Sequence, residues 1–212
     1  MGLLTAENVL LVEGLKCTRG ERILFENQTF KLTGGELLYV QGDNGSGKTT
    51  LLRTICGLFQ PQAGQVYWNQ QDIKTLAEDY LGQVLYIGHH AGIKEELTPV
   101  ENLQFATALS GFNVCREHVI DALNHLGIKR CADLPTRVLS QGQKRRVALA
   151  RLWLEQSALW ILDEPFTALD INAIEVLTER IESYVKTGGV VVMTSHQAPK
   201  FDPVILQHLK LH

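Results

Sequence analysis

Residues 42–49 have the sequence Gly42-Asp43-Asn44-Gly45-Ser46-Gly47-Lys48-Thr49. This run matches the pattern G-x-x-x-x-G-K-[ST], in which glycines let backbone N–H groups turn inward and approach phosphate oxygens closely. An apolar stretch, residues 37–40, comes before the run, and Leu51, Leu52 and Ile55 follow it with helical spacing. A strand, a glycine loop and a helix in this order predict a site that binds the phosphates of a nucleotide.

The loop also predicts ligands for particular side chains. We expect Lys48 to reach the β- and γ-phosphates and to assist catalysis there, and the Thr49 hydroxyl to bind Mg²⁺. ATP and Mg²⁺ are therefore the predicted cofactors. The predicted nucleotide-binding residues of the loop are Gly42, Asp43, Asn44, Gly45, Ser46, Gly47, Lys48, Thr49 and Thr50.

A second polar feature follows an apolar run much later in the chain. Residues 159–162 are apolar, and Asp163 and Glu164 come directly after them. Ligands bind at the carboxyl edge of parallel sheets, so this pair is a candidate for the same site. We predict that Asp163 holds Mg²⁺ and that Glu164 accepts a proton from an attacking water. The alternative, a solvated acidic turn, is disfavoured because the same chain carries the phosphate loop.

Length and composition limit the classes of protein that remain. The chain has 212 residues, of which 45% are hydrophobic and 20% charged, and this predicts one globular domain. Its net charge of −3 argues against a general nucleic-acid-binding protein. No apolar run reaches the roughly 18 residues of a membrane helix, and residues 1–7 lack the pattern of a signal peptide. We therefore expect any membrane role to come through a partner.

The hydrophobic pattern predicts an α/β fold with a mainly parallel core. Short apolar runs between helical segments predict buried strands at residues 37–40, 84–87, 159–162 and 190–193. Residues from about 94 to 157 look helical instead, with one helix expected at residues 140–155, and a further helix is expected around residues 174–186. Within this block, Thr98-Pro99-Val100-Glu101 predicts a helix start with a capping box.

A third motif lies near the end of the helical block, where residues 139–143 read Leu139-Ser140-Gln141-Gly142-Gln143. Together with the phosphate loop, the acidic pair, and the later runs Ala168-Leu169-Asp170 and Thr194-Ser195-His196, it makes the chain resemble the ATP-binding subunit of an ABC transporter. The signature of that family is L-S-G-G-Q, so Gln141 replaces its first glycine.

The resemblance implies a P-loop NTPase fold, with a RecA-like parallel-sheet core, an N-terminal antiparallel β subdomain and an inserted α-helical subdomain. The single domain, residues 1–212, would then have a core of about residues 1–89 and 158–212. The helical subdomain would comprise about residues 90–157.

The resemblance also implies an ATP-bound homodimer, in which two chains enclose two nucleotides head to tail. Ser140, Gly142 and Gln143 would contact the nucleotide that the second copy holds. Ser140 can cap the following helix by itself, and a helix N-terminus with a nearby glycine suits an anion. His196 would contact the γ-phosphate or the attacking water, as a catalytic residue beside Lys48 and Glu164.

Two positions depart from the family pattern. By placement, His90 stands where the family usually has a glutamine that touches Mg²⁺, so we predict His90 as a metal contact. Gln83 is a weaker candidate because it precedes the strand. Metal or haem binding shared by His89 and His90 is disfavoured, because neighbouring residues on a strand point to opposite sides. Where the family often stacks an aromatic ring on adenine, Arg19 is the available planar group.

Within the family, three segments most resemble the ATP-binding subunits of bacterial cytochrome c maturation, namely residues 87–103, 139–153 and 159–170. This implies a peripheral subunit on the cytoplasmic face of the inner membrane, with integral membrane partners resembling CcmB and CcmC, together with CcmD. ATP hydrolysis would support haem export or delivery and release of the haem-loaded chaperone CcmE. A different ABC transporter is the alternative. A soluble ABC ATPase of DNA repair or translation is disfavoured by the single phosphate loop and the lack of heptads.

The helical block is the predicted docking surface for the membrane partner. Its apolar candidates are Leu97, Val100, Leu103 and Phe105. The alternative that these side chains belong to the hydrophobic core is favoured, because large apolar residues are usually buried.

Overall fold

A computed structural model gives the structure of residues 7–195 and 201–211, which form two sheets and a set of helices. The strands are β1 (Val9–Arg19), β2 (Arg22–Thr33), β3 (Leu37–Gln41), β4 (Ala63–Trp68), β5 (Gln71–Asp72), β6 (Val84–Ile87), β7 (Leu159–Asp163), β8 (Val190–Thr194) and β9 (Leu206–Lys210).

The helices range from one to about four turns. They are α1 (Lys48–Ile55), α2 (Ile73–Leu76), α3 (Glu78–Leu81), α4 (Pro99–Leu109), α5 (Arg116–His125), α6 (Gln141–Leu149), α7 (Arg151–Leu154) and α8 (Ile171–Lys186). Two short 3₁₀ helices, Lys129–Cys131 and Thr136–Val138, lie between α5 and α6. Across residues 7–195 and 201–211, no helix combines the length and the apolar character needed to cross a bilayer.

The larger sheet has five parallel strands in the order β6-β7-β8-β3-β9. Its strands are apolar on both faces because both faces are covered, as β3 illustrates. Leu37 and Tyr39 pack into the core on one side, and Leu38 and Val40 into the core on the other. The parallel direction places the carboxyl ends of β3, β7 and β8 along one edge. The predicted parallel core is therefore confirmed.

The smaller sheet is antiparallel, with the order β2-β1-β4-β5. Together with α1 it covers one face of the parallel sheet, through a core that includes Leu10, Leu51 and Trp68. The helical block and α8 cover the other face, through a core that includes Leu123 and Leu177. The antiparallel β subdomain and the α-helical subdomain of the predicted fold are both present.

The predicted helix start at Thr98 is confirmed. The Thr98 hydroxyl accepts from the Glu101 N–H at 3.2 Å, and the Glu101 carboxylate accepts from the Thr98 N–H at 2.8 Å. In α4, Val100 and Leu103 are 3% and 1% exposed, whereas Phe105 is 43% exposed. Val100 and Leu103 therefore belong to the core, as the favoured alternative had it, and only Phe105 of these three is open to a partner.

Three elements differ from the sequence prediction. The single helix predicted at residues 140–155 is two helices, α6 and α7, because the chain tightens at Ala150, whose N–H donates to both Arg146 and Val147. Helix α8 begins at Ile171 rather than Ile174, because Asp170 caps it. Strand β9 was not predicted, since it lacks a continuous apolar run and is held by its pairing with β3 at the sheet edge.

Candidate functional site

A cavity of about 460 Å³ lies at the carboxyl edge of the parallel sheet. It is lined by Arg19, Leu24, Asn44, Gly45, Gly47, Lys48, Thr49, Thr50, His89, Asp163, Glu164 and Thr167. The loop after β3 and the acidic pair after β7 therefore meet, as the sequence predicts, although most of the chain lies between them. Leu24 and Arg19 add an apolar and a planar cationic wall from the antiparallel sheet.

The first turn of α1 is open towards this cavity. Gly47 occupies the N-cap position with φ of +98°, and no side chain caps the helix. A Cβ at Gly47 would lie 2.9 Å from Phe25 Cδ1 and 3.0 Å from Leu24 Cβ. Glycine is thus required both by the backbone conformation and by the close approach of β2. The first N–H groups of a helix have no partner within it, so this end is suited to an anion.

Lys48 is held in position by the loop that it belongs to. Its Nζ donates to the carbonyls of Gly42 at 2.7 Å and Asp43 at 3.1 Å. The side chain is 9% exposed, so most of it is removed from water. Ser46 lies in the same loop, and its buried Oγ has no hydrogen-bond partner within the described residues. A buried cation and an unpartnered hydroxyl in one loop fit a phosphate.

Two threonines fix the carboxylate of Asp163. Thr49 Oγ1 donates to Asp163 Oδ2 at 2.9 Å, and Thr194 Oγ1, at the end of β8, donates to Asp163 Oδ1 at 2.8 Å. Asp163 is 2% exposed. Because each hydroxyl gives its proton to the carboxylate, the lone pairs of Thr49 Oγ1 stay available. Hydroxyl and carboxylate oxygens are ligands that Mg²⁺ prefers, so Thr49 and Asp163 together fit that ion.

Glu164 follows Asp163 in a left-handed backbone conformation, with φ of +51°. Its N–H donates to Thr194 Oγ1 at 3.0 Å, and its carbonyl accepts from Arg145 Nη2 at 2.9 Å. Non-glycine residues adopt this conformation only where the surroundings enforce it. Both peptide groups of Glu164 are thus fixed, and its side chain, 9% exposed, lines the cavity beside Lys48 and Thr49.

The two neighbouring histidines occupy different places. His89 lines the cavity with Lys48 and Glu164, whereas His90 lines only the neighbouring cleft towards α4. The expectation that they point to opposite sides of a strand is wrong, because β6 ends at Ile87 and both residues lie in the following loop. Their rings meet edge to face with centroids 5.4 Å apart.

Two further predictions concern the metal and the switch residue. In residues 7–195 and 201–211, no group of three or more His, Cys, Asp or Glu side chains could hold a metal ion. A metal site shared by His89 and His90 therefore gains no support from a third ligand. His196, the predicted switch residue, lies outside the described residues.

The signature residues lie in a separate cavity, of about 820 Å³, which shares no lining residue with the first. The Ser140 hydroxyl accepts from the Gln143 N–H at 3.2 Å, and the Gln143 Oε1 accepts from the Ser140 N–H at 2.9 Å. A Cβ at Gly142 would lie 2.7 Å from the Ala168 carbonyl oxygen, so this glycine lets α6 approach the loop after β7. None of the three predicted residues contacts the cavity that Lys48 lines in the same chain.

Two residues of the site were not predicted by sequence reasoning. Arg145, on α6, is 5% exposed and donates to the main-chain carbonyls of Gly88, Asp163 and Glu164. Burial lowers the pKa of its guanidinium, while the charges of Asp163 and Glu164 oppose that shift. Thr194 was noted only within its motif. The signal that could have found it is a hydroxyl at the end of a buried strand next to β7.

Comparisons with known proteins agree with this geometry. Residues 25–167 match the family model described as ABC transporter. Over 203 residues the chain is 48% identical to the "Cytochrome c biogenesis ATP-binding export protein CcmA" of Nitrosomonas europaea, which covers 96% of this chain and 95% of that protein. The protein of the same description from Escherichia coli K12 is 45% identical over 197 residues, or 93% and 90% of the two chains.

One solved ATP-binding cassette is described as a dimeric post-hydrolysis state bound to ADP and Pi. It has a TM-score of 0.78 and 24% identity to this chain, with 89% of this chain and 88% of that chain covered. At this identity the likeness shows the fold alone.

Proposed function

Because this chain belongs to the ABC transporter family, and within it to the CcmA group of ATP-binding export proteins, we propose that it is the ATP-hydrolysing subunit of a cytochrome c maturation complex. The observation that carries the proposal is the convergence of Lys48, Thr49, Asp163 and Glu164 on one cavity. The residues of a phosphate site, a metal site and a proton acceptor thus lie together.

The chemistry is in-line attack of water on the γ-phosphate of ATP. The open N-terminus of α1 and the Lys48 ammonium bind and orient the phosphates. Thr49 and Asp163 would hold Mg²⁺, which neutralises charge on the β- and γ-phosphates when it is bound. Glu164 accepts the proton of the attacking water, because its backbone is held by Arg145 and Thr194 and its side chain lines the same cavity. His196 and His90 stay predictions for the γ-phosphate and the metal.

A second copy of the chain would complete the site. Ser140 Oγ accepts a hydrogen bond within its capping box, so its own proton is free to reach an oxygen of a γ-phosphate. Gly142 and Gln143 lie beside it in the same cavity. The position of these residues, away from the Lys48 cavity of their own chain, supports a head-to-tail homodimer that encloses two ATP molecules.

The membrane partner docks, in this proposal, at the cleft between residues 86–94 and α4. Phe105 and Leu109 are exposed there, and the Lys94 ammonium lies 3.9 Å from the centroid of the Phe105 ring. Integral membrane subunits resembling CcmB and CcmC, with CcmD, are the proposed partners, on the cytoplasmic face of the bacterial inner membrane. Hydrolysis would then support haem export or delivery and release of haem-loaded CcmE.

The Glu164→Gln substitution tests the proposal. The variant keeps the fold and the phosphate site, so ATP binding should persist while hydrolysis falls by roughly two orders of magnitude or more. Glu175→Gln is the matched control, since Glu175 is exposed on α8 and outside the cavity. ATP binding is measured by equilibrium dialysis and turnover by phosphate release. Turnover at the wild-type rate in Glu164→Gln would contradict the assignment of the base.

The same variant tests the assignment to a system, because an ATP-bound form that cannot hydrolyse should stay in its complex. We would tag it, extract membranes of the native host gently, and identify the proteins that co-purify, together with the haem absorption spectrum. Recovery of cytochrome c maturation subunits supports the proposal. Recovery of an unrelated permease would keep the ATPase mechanism and overturn the haem assignment.

A further inference from the structure

The carboxyl ends of β6 and β7 are joined to α6 by one buried side chain. Arg145 Nη1 donates to the Gly88 carbonyl at 2.6 Å, and Nη2 donates to the carbonyls of Asp163 at 2.8 Å and Glu164 at 2.9 Å. Gly88 directly precedes His89, which lines the nucleotide cavity. One guanidinium therefore contacts the backbone of two segments that supply side chains to the site.

Glu164 depends on such contacts for its conformation. Its φ of +51° is unfavourable for a residue with a side chain, and neither of its neighbours is a glycine that could share the turn. Thr194 Oγ1 accepts from the N–H and Arg145 donates to the C=O, so the peptide units on both sides are fixed. Rotation of either unit would turn the carboxylate away from its place in the cavity.

Only an arginine can make this set of contacts. The guanidinium is planar and presents its N–H groups in a rigid fork, so it can hold carbonyls from two strands at fixed angles. A lysine ammonium would keep the charge but, as a single donor centre, could not span both strands in the same geometry. The side chain is 5% exposed, so water cannot readily take the place of a lost donor.

We propose that Arg145 is a positioning residue for Glu164, because it holds the carbonyls of Gly88, Asp163 and Glu164 in the one arrangement that aims the carboxylate at the attacking water. This inference rests on the proposed function. Arg145 acts through the backbone of its own chain. It also lies on α6, whose N-terminus would contact the nucleotide of the other chain. An effect of Arg145 on Glu164 must therefore be separated from an effect on α6.

Mixed dimers of the full chain separate them. One chain carries Glu164→Gln, so the only active site uses Glu164 of its partner and Ser140 of the Glu164→Gln chain. Arg145→Lys is then placed in one chain or the other. The two chains carry different affinity tags, and purification on both tags selects each mixed dimer. In the chain that supplies Glu164, it should lower kcat at least tenfold with KM for ATP changed less than twofold. In the chain that supplies Ser140, it should leave kcat within twofold.

A loss of kcat in the chain that supplies Ser140 that equals or exceeds the loss in the chain that supplies Glu164 would overturn the proposal, because it would mean that Arg145 acts through the fold or through α6 rather than on Glu164. An unchanged kcat in both placements would overturn it as well. The mixed dimer with Glu164→Gln alone must hydrolyse ATP; if it does not, the proposed dimer fails rather than the role of Arg145.

Arg180→Lys is the matched control for loss of a partly buried guanidinium, since Arg180 donates to the Leu152 carbonyl and does not line the nucleotide cavity. It should leave kcat unchanged in either chain. If Arg145→Lys does not fold, as judged by thermal unfolding, Arg145→Gln replaces it, because its amide retains two donors without a charge. Arg145→Gln should likewise lower kcat in the chain that supplies Glu164 and leave it nearly unchanged in the chain that supplies Ser140.

Discussion

Helices α1 and α6 both begin at a polar surface, but their first turns are completed in different ways. Helix α1 follows Gly47, whose left-handed backbone leaves the first N–H groups without a side-chain cap. Helix α6 follows Ser140, and Ser140 and Gln143 cap each other. Every helix N-terminus has donors that lack partners within the helix. Helix α1 keeps them for a ligand, and α6 satisfies part of them with its own side chains.

This difference explains why the two ends have different requirements. The α1 end has Lys48, a hydroxyl and two carboxylates around one cavity, so it can hold a nucleotide as a single chain. The α6 end is stable without a ligand and has one hydroxyl proton to offer. In the proposed homodimer it would contribute to a nucleotide that the other chain already holds. Binding should depend on α1 alone, and hydrolysis on both.

The largest effect should come from Lys48→Ala, which breaks the α1 end. The ammonium is nearly buried and its contacts with charged phosphates are strong, so ATP affinity should fall on the order of 100-fold. Lys144→Ala on α6 is the matched control, because Lys144 pairs with the exposed Glu95 and should leave affinity unchanged. Both are measured by titration of the monomer with ATP. An equal loss of ATP affinity in the two variants would contradict the expectation that ATP binding depends on α1 and not on α6.

The α1 end could be predicted from the sequence because its pattern is local. Eight consecutive residues specify the loop, and a strand before it and a helix after it are visible in the same stretch. The acidic pair could be predicted because Asp163 and Glu164 directly follow the apolar run of a buried strand, and this pattern too is local. The capping box at Thr98 could be predicted for the same reason, since all of its atoms belong to four neighbouring residues.

The contacts that join distant segments could not be predicted. The parallel register of β7 and β8 brings Thr194 to Asp163 across 31 positions, whereas Arg145 reaches Asp163 across 18 positions from α6. A threonine or an arginine at such a position has no distinctive local pattern. Strand β9 was missed for a related reason, since its place depends on pairing with β3 rather than on its own apolar residues.

A smaller effect is expected from Ser140→Ala, which sharpens the comparison at the α6 end. Loss of the N-cap should cost about 1 kcal/mol of the free energy of unfolding. Loss of the hydroxyl donor should also lower kcat about tenfold, with ATP binding by the monomer unchanged. Denaturant unfolding, phosphate release and ATP titration measure the three quantities.

Thr98→Ala is the control for this change, because Thr98 forms the same kind of capping box with Glu101 at the start of α4. It should cost similar stability and leave kcat unchanged. If Thr98→Ala lowered kcat as much as Ser140→Ala, the effect at Ser140 would be one of stability alone. If Ser140→Ala weakened ATP binding by the monomer, α6 would contribute to the nucleotide site of its own chain.

The smallest effect concerns the loop after β6, where sequence and structure favour different histidines. Placement in the sequence favours His90 as a metal contact, whereas the structure puts His89 in the cavity and His90 in the neighbouring cleft. If His89 makes one hydrogen bond to the bound nucleotide or water, His89→Ala should lower kcat roughly fivefold. His90→Ala should then lower kcat less than His89→Ala does, when both are measured on the homodimer without its membrane partner. A larger loss in His90→Ala, restored by His90→Gln, would instead mean that the loop turns when ATP binds and that His90 takes the place of the family's glutamine.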